Sequence, residues 1–109
     1  MRESARTNQT ANVPTVTFGL DGKYELRDVR VVLGAELATN KHARPIWHLV
    51  SDSNSIPVRG FNYGQRIRGM RPEVKGARPG PLESNVTYRL FVEAVARKGH
   101  YAFKFGGKN

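Results

Sequence analysis

Cysteine is absent from this chain of 109 residues. Its absence excludes disulfide bonds, thiolate nucleophiles and cysteine-based zinc sites together. Long apolar runs are also missing: none is long enough to span a bilayer, and the residues after Met1 are too polar for the core of a signal peptide. We therefore expect either a cytoplasmic protein or one whose leader has been removed. We favour the second, which would be a periplasmic, secreted or outer-envelope protein.

Acidic residues are scarce, since nine Asp and Glu stand against 18 Lys and Arg and the formal net charge is +9. Such an excess attracts polyanions, but by itself it does not indicate nucleic-acid recognition. The acids form no close pair suited to acid–base catalysis, and the three histidines match no zinc-binding spacing. His48, Ser51, Asp52 and Ser53 have the residue types of a hydrolytic triad, but one strand and its turn cannot align them. We predict no catalytic residue, no metal and no cofactor.

Alternation of apolar and polar residues indicates β-strands. The clearest run begins at Val86, with Tyr88, Leu90 and Val92 on one face. Around Trp47 the same pattern places Trp47 and Leu49 inward and His48 outward. In the run over residues 24–33 the alternation changes parity near Arg27-Asp28, which predicts a β-bulge or a break between two strands.

The remaining elements are shorter. Asp21-Gly22 is a strong turn signal, so we expect a hairpin between residues 13–18 and 24–33. Residues 34–41 form either one helical turn or a loop. Further strands are predicted over residues 56–63, 66–70 and 99–105, the last pairing with residues 88–96 as a terminal hairpin.

Residues 1–12 contain no large apolar side chain after Met1, so we expect a disordered tail there. Residues 13–109 have the length of one domain. The predicted class is all-β, with about seven short strands, and we expect a monomer.

The turn-forming residues 79–85, followed by Tyr88 on an alternating strand, resemble the tyrosine corner of immunoglobulin-like and fibronectin type III sandwiches. The resemblance implies an antiparallel β-sandwich in which Trp47 and Tyr88 are buried. It also implies that the Tyr88 hydroxyl bonds backbone a few residues upstream. Leu90 stands where an antibody domain has its second cysteine, and Val31 or Leu33 takes the place of the first.

The strongest candidate for a binding surface is the segment 59–78, which is rich in cations and contains a single acid, Glu73. Guanidinium groups beside exposed rings are typical of single-strand nucleic-acid surfaces, and arginine also binds carboxylates, acidic glycans and lipid head groups. The alternative is that the two rings belong to the core and the cations lie on a solvated loop. The candidate residues are Arg59, Phe61, Tyr63, Arg66, Arg68, Arg71, Lys75 and Arg78.

These observations favour a non-enzymatic binding or structural module whose partner is a protein or an anionic ligand. The alternative function is a basic nucleic-acid-binding domain that uses the loop over residues 59–78. Membrane contact is expected only through a lipid anchor on a removed leader.

Overall fold

The computed structural model describes residues 2–8, 15–40, 43–83, 86–94 and 97–104. Within them the protein has seven strands and one short helix. All the strand pairings are antiparallel, so the predicted all-β class is confirmed. The elements are β1 (Glu3–Asn8), β2 (Thr15–Leu33), α1 (Gly34–Thr39), β3 (Trp47–Val50), β4 (Pro57–Asn62), β5 (Arg71–Pro72), β6 (Thr87–Ala94) and β7 (Lys98–Lys104).

The long strand β2 joins the two halves of the fold. Its first half pairs with β1 on one side and β4 on the other, and its second half pairs with β3 and β6. The outer strands β5 and β7 extend the second half, in the order β5-β3-β2-β6-β7. Each half of β2 therefore has strand partners on both sides, which explains how a strand of 19 residues remains extended.

The predicted hairpin at Asp21-Gly22 is wrong, because β2 passes through these residues without reversing. The register with β4 instead shifts between Gly19 and Tyr24, so the turn-forming residues lie in an irregular bulge of the β2–β4 ladder. The pairing of Leu20 with Glu3 of β1 holds this part of β2 extended. The turn-forming residues therefore form a bulge within the strand, because pairing of β2 with strands on both sides is favoured over a local reversal of the chain.

The predicted parity change at Arg27-Asp28 is confirmed as a bulge. The register of β2 against β6 shifts between Leu26 and Asp28, so Leu26 and Val29 both reach the core although they differ in parity. Ser55, a buried polar residue, occupies the site. Its hydroxyl accepts from the Leu26 N–H at 2.8 Å, and its own N–H donates to the Leu26 carbonyl at 2.9 Å.

Aromatic rings connect the two halves of the fold. Phe18, on the first half of β2, is 0% exposed and meets Phe103 of β7 edge-on, with centroids 5.0 Å apart. Phe61 of β4 lies 5.4 Å from Phe18 and 6.0 Å from Trp47 of β3. Since β4 and β3 flank opposite halves of β2, these contacts show that residues from both halves belong to one shared core.

The tyrosine corner is present as a local feature. Tyr88 is 3% exposed, and its hydroxyl accepts a hydrogen bond from the Glu83 N–H, five residues upstream, at 2.8 Å. Trp47 and Leu90 are buried, as predicted. Val31, however, pairs directly with both Trp47 and Leu90 on neighbouring strands. The resemblance to antibody domains implies that Leu90 and either Val31 or Leu33 stand where a disulfide joins two sheets, whereas here β2 and β6, which carry these residues, are neighbouring strands of one sheet.

Two further expectations are corrected. Residues 3–8 of the predicted tail form β1, in which Ala5 packs against the core, since an edge strand needs backbone pairing more than large side chains. Residues 9–12 lie outside the described residues. The strand predicted over residues 66–70 is replaced by a turn in which the Met70 N–H donates to the Ile67 carbonyl, and the strand is Arg71–Pro72.

Other predictions are confirmed. The segment after β2 is helical (α1), and β4 falls within the strand predicted over residues 56–63. Strands β6 and β7 form the terminal hairpin, with Phe103 buried, whereas Phe105 lies outside the described residues. Among the helices of the described chain, none has the length and apolar character needed to cross a membrane.

Candidate anion-binding groove

A groove of about 1340 Å³ lies beside β3 and β5. One wall is the segment 44–49, which includes the start of β3. The other wall is formed by residues 64–74 and 77–79. These segments are distant in sequence and meet because β5 pairs with the outer edge of β3, with Leu49 opposite Pro72 and Val50 opposite Arg71.

The backbone of the loop before β5 is fixed by a buried anchor. Ile67 is buried in the core, so Arg66 and Arg68 on either side of it remain exposed. The Arg68 carbonyl accepts from the Ile56 N–H at 3.1 Å. Gly69 has a left-handed φ of 93°, and a Cβ there would meet the Asn54 carbonyl oxygen at 2.8 Å, so the tight approach requires glycine.

The second part of this wall is attached by backbone bonds to β3 and to the residue just before it. The Glu73 N–H donates to the His48 carbonyl at 3.0 Å, and the Gly80 N–H donates to the Ile46 carbonyl at 2.8 Å. The Tyr63 hydroxyl donates to the Gly80 carbonyl at 2.6 Å. Residues 74–79, which we call the excursion, are all exposed and lie between these two attachments.

Positive charge dominates the lining, which contains five arginines and one carboxylate, that of Glu73. Arg71 pairs with Asp52 at 3.0 Å, but both side chains are exposed, so the pair contributes little stability. Within the described part of the chain, the other four form no ion pair with a carboxylate. These four, which we call the free arginines, are Arg44, Arg66, Arg68 and Arg78.

The structure brings together half of the residues predicted from sequence, since Arg66, Arg68, Arg71 and Arg78 all line the groove. Arg59 on β4 and Lys75 in the excursion are exposed but do not line it. Sequence reasoning missed Arg44 and His48. No local signal linked either residue to the basic segment 59–78, because the groove forms through pairing across more than 20 residues of sequence.

The two candidate aromatic residues do not offer free ring faces. Phe61 is 3% exposed and belongs to the core cluster. Tyr63 is half-buried, and its ring meets Trp47 edge-on at 5.1 Å. Burial raises the pKa of the Tyr63 hydroxyl well above its ordinary value, and this hydroxyl is already bonded to Gly80. Phe61 and Tyr63 therefore follow the alternative interpretation, in which the two rings belong to the core or pack against it.

The residue types of a hydrolytic triad have other partners. His48 Nε2 lies 2.9 Å from Asp28 Oδ2, and Asp28 also pairs with Arg30 at 3.3 Å. The Ser51 hydroxyl donates to the Gly69 carbonyl at 2.7 Å, while Asp52 pairs with Arg71. The Ser51 proton is thus donated to a backbone carbonyl and not to His48. No group of three or more metal-ligating side chains occurs among the described residues.

Fold and groove together define an all-β protein with an arginine-lined groove at the edge of its sheet. Comparisons with protein-family models, with curated proteins and with solved structures find no match to this chain. The groove is therefore the basis for proposing a function.

Proposed function

We propose that this protein is a non-enzymatic binding module that holds an anionic ligand in the arginine-lined groove. The observation that carries the proposal is the convergence of four free arginines on a groove with one lining carboxylate. Guanidinium groups bind carboxylate, sulfate and phosphate through paired hydrogen bonds, and they are weakly hydrated compared with ammonium groups. A ligand with several such anionic groups would replace the missing carboxylate partners.

The groove is preorganised in its backbone. Ile67 anchors the loop that carries Arg66 and Arg68, and the Ile56–Arg68 hydrogen bond holds that loop against β4. A second point of support is the bond from the Tyr63 hydroxyl to the Gly80 carbonyl, two residues after Arg78. A fixed backbone lowers the entropy lost on binding, which then falls mainly on the arginine side chains themselves.

We further propose that the frame is a β-sandwich of immunoglobulin-like kind. The contacts of Phe18 with Phe103 and of Trp47 with Phe61 support two facing layers, with β2 belonging to both. The hydrogen bond between the Tyr88 hydroxyl and the Glu83 N–H supports the resemblance to immunoglobulin-like domains, whereas the direct pairing of Val31 with Leu90 departs from it.

Single-stranded nucleic acid is the second candidate ligand, and it is favoured by the same free arginines. Sequence-tolerant single-strand binding normally adds stacking of bases on aromatic rings. Phe61 and Tyr63 do not provide such rings, so we expect nucleic acid to bind through its phosphates alone, without base preference.

The test compares the wild type with two triple variants by fluorescence anisotropy. The probes are a labelled polyglutamate peptide and a labelled single-stranded DNA, each at about 50 and 200 mM salt. The groove variant carries Arg66→Ala, Arg68→Ala and Arg78→Ala. The control carries Lys23→Ala, Arg27→Ala and Lys104→Ala, three exposed cations outside the groove with the same total charge.

We expect the groove variant to lose binding of both probes and the control to keep most of it. For DNA, loss of three phosphate contacts should reduce the slope of log affinity against log salt by about 2. Equal losses in the two variants would show that only net charge matters. Absence of wild-type binding at low salt would also overturn the proposal.

A further inference from the structure

Two large apolar side chains are exposed among the described residues, Ile56 at 46% and Val74 at 61%. Both adjoin the groove. Val74 lines it at the start of the excursion, and Ile56 donates its N–H to the carbonyl of the free arginine Arg68 at 3.1 Å. Exposed aliphatic side chains and unpaired cations therefore occur in the same region of the surface.

Single exposed apolar residues are normal on a soluble protein, but their position beside unpaired cations is informative. A dissolved anion would use the guanidinium groups and gain little from Val74. The surface of an anionic bilayer uses both features, because its phosphates attract cations and the region below them accepts aliphatic side chains.

The excursion is suited to shallow insertion. Its exposed residues 74–79 are bounded by two backbone bonds, from Glu73 to His48 of β3 and from Gly80 to Ile46, the residue just before β3. Between these points, one bond, from the Ala77 N–H to the Val74 carbonyl, forms a turn in which Gly76 has a φ of 79°. Two cations, Lys75 and Arg78, follow Val74 within the excursion, and the single acid Glu73 precedes it. Cations beside an apolar side chain are typical of segments that lie at a membrane interface.

We propose that this face of the protein docks on the surface of an anionic lipid bilayer. Val74 and Ile56 enter the interfacial layer, and the free arginines contact headgroup phosphates. The inference rests on the proposed function and names the anionic partner as a membrane surface rather than a dissolved polymer.

The size of the effect follows from the charges. Each cation near an anionic membrane surface contributes about fivefold in partitioning, so removal of Arg66, Arg68 and Arg78 should weaken binding about 100-fold. Replacement of both Val74 and Ile56 by serine should weaken it roughly tenfold, because partial burial of two aliphatic side chains is lost.

The experiment is co-sedimentation of the full chain with phosphatidylcholine vesicles, with and without phosphatidylserine. We expect the wild type to bind only the vesicles that contain phosphatidylserine. The variant Val74→Ser with Ile56→Ser should bind them more weakly. The single variant Ile56→Ser, whose side chain does not line the groove, should also bind them more weakly and should bind labelled polyglutamate as the wild type does. Val74→Leu should retain vesicle binding, and circular dichroism should show that each variant is folded.

The outcomes distinguish the membrane inference from the proposed anion-binding function. Wild type that binds polyglutamate or DNA but not the anionic vesicles would overturn the membrane inference and leave the anion-binding function standing. Equal vesicle binding by the wild type and the serine double variant would show that Val74 and Ile56 do not insert, which also overturns it. Failure to bind either vesicles or soluble polyanions would overturn both proposals.

Discussion

Replacement of Tyr88 by phenylalanine tests whether the tyrosine corner stabilises the fold. The substitution removes one oxygen and leaves the ring in place, where it stacks on Phe103 with centroids 5.8 Å apart. Without that oxygen, the Glu83 N–H no longer has the acceptor that it reaches at 2.8 Å in the wild type. The measured change therefore reports on this hydrogen bond and on the donor left unpaired.

The expected decrease in the free energy of unfolding is about 1–2 kcal/mol. An unpaired buried donor costs about 1–3 kcal/mol, and the lower part of that range applies because Glu83 is exposed and water can reach its backbone. For a domain of this size the corresponding fall in Tm is about 4–8 °C.

Urea unfolding followed by tryptophan fluorescence measures this decrease directly, since Trp47 is the sole tryptophan of the chain and is buried. The matched control is Tyr24→Phe, whose hydroxyl bonds the exposed carboxylate of Asp21. That variant should change stability by less than about 0.5 kcal/mol. A decrease in Tyr88→Phe no larger than in the control would refute the structural role of the corner.

Two further predictions concern the core and the wall of the groove. Phe18→Ala should cost about 3–5 kcal/mol in urea unfolding, because its fully buried ring contacts Phe61 and Phe103; a cost below about 1 kcal/mol would contradict the shared core. Above about pH 10 the free energy of unfolding should fall, because the folded protein retains the Tyr63 proton that the unfolded chain releases. The stability that the buried Tyr63 hydroxyl contributes below about pH 10 is therefore lost as the pH rises toward its raised pKa. The variant Tyr63→Phe lacks this titrating group, so its free energy of unfolding, measured from about pH 9 to 12, should decline less steeply than that of the wild type. Identical declines would count against burial of the hydroxyl.

Strand identity was largely predictable from sequence. Alternation placed Tyr88, Leu90 and Val92 on the buried face of β6, and the parity change placed the bulge beside Arg27. These signals are local, because a strand with one buried face must repeat every two residues. The turn predicted at Asp21-Gly22 was wrong because the outcome there is not local. Pairing of β2 with β1 and β4 on its two sides outweighs the turn preference of these residues.

The site was half predictable. The density of arginine between residues 59 and 78 indicated a basic surface, and four of the predicted residues do line the groove. Arg44 was missed because it reaches the groove only through the pairing of β3 with β5. Phe61 was ambiguous because β4 alternates and composition alone does not show which of its faces meets the core.

The sequence by itself determined the all-β class, the inward positions of Trp47 and Tyr88, and an excess of arginine over acid. Only the tertiary structure decided that β2 serves both halves of the sheet, and that a wall beginning at Arg44 meets the loop around Ile67 to form a groove. The reason is physical. Side-chain alternation and charge are properties of short segments, whereas register and the meeting of distant segments depend on backbone pairing across the whole chain.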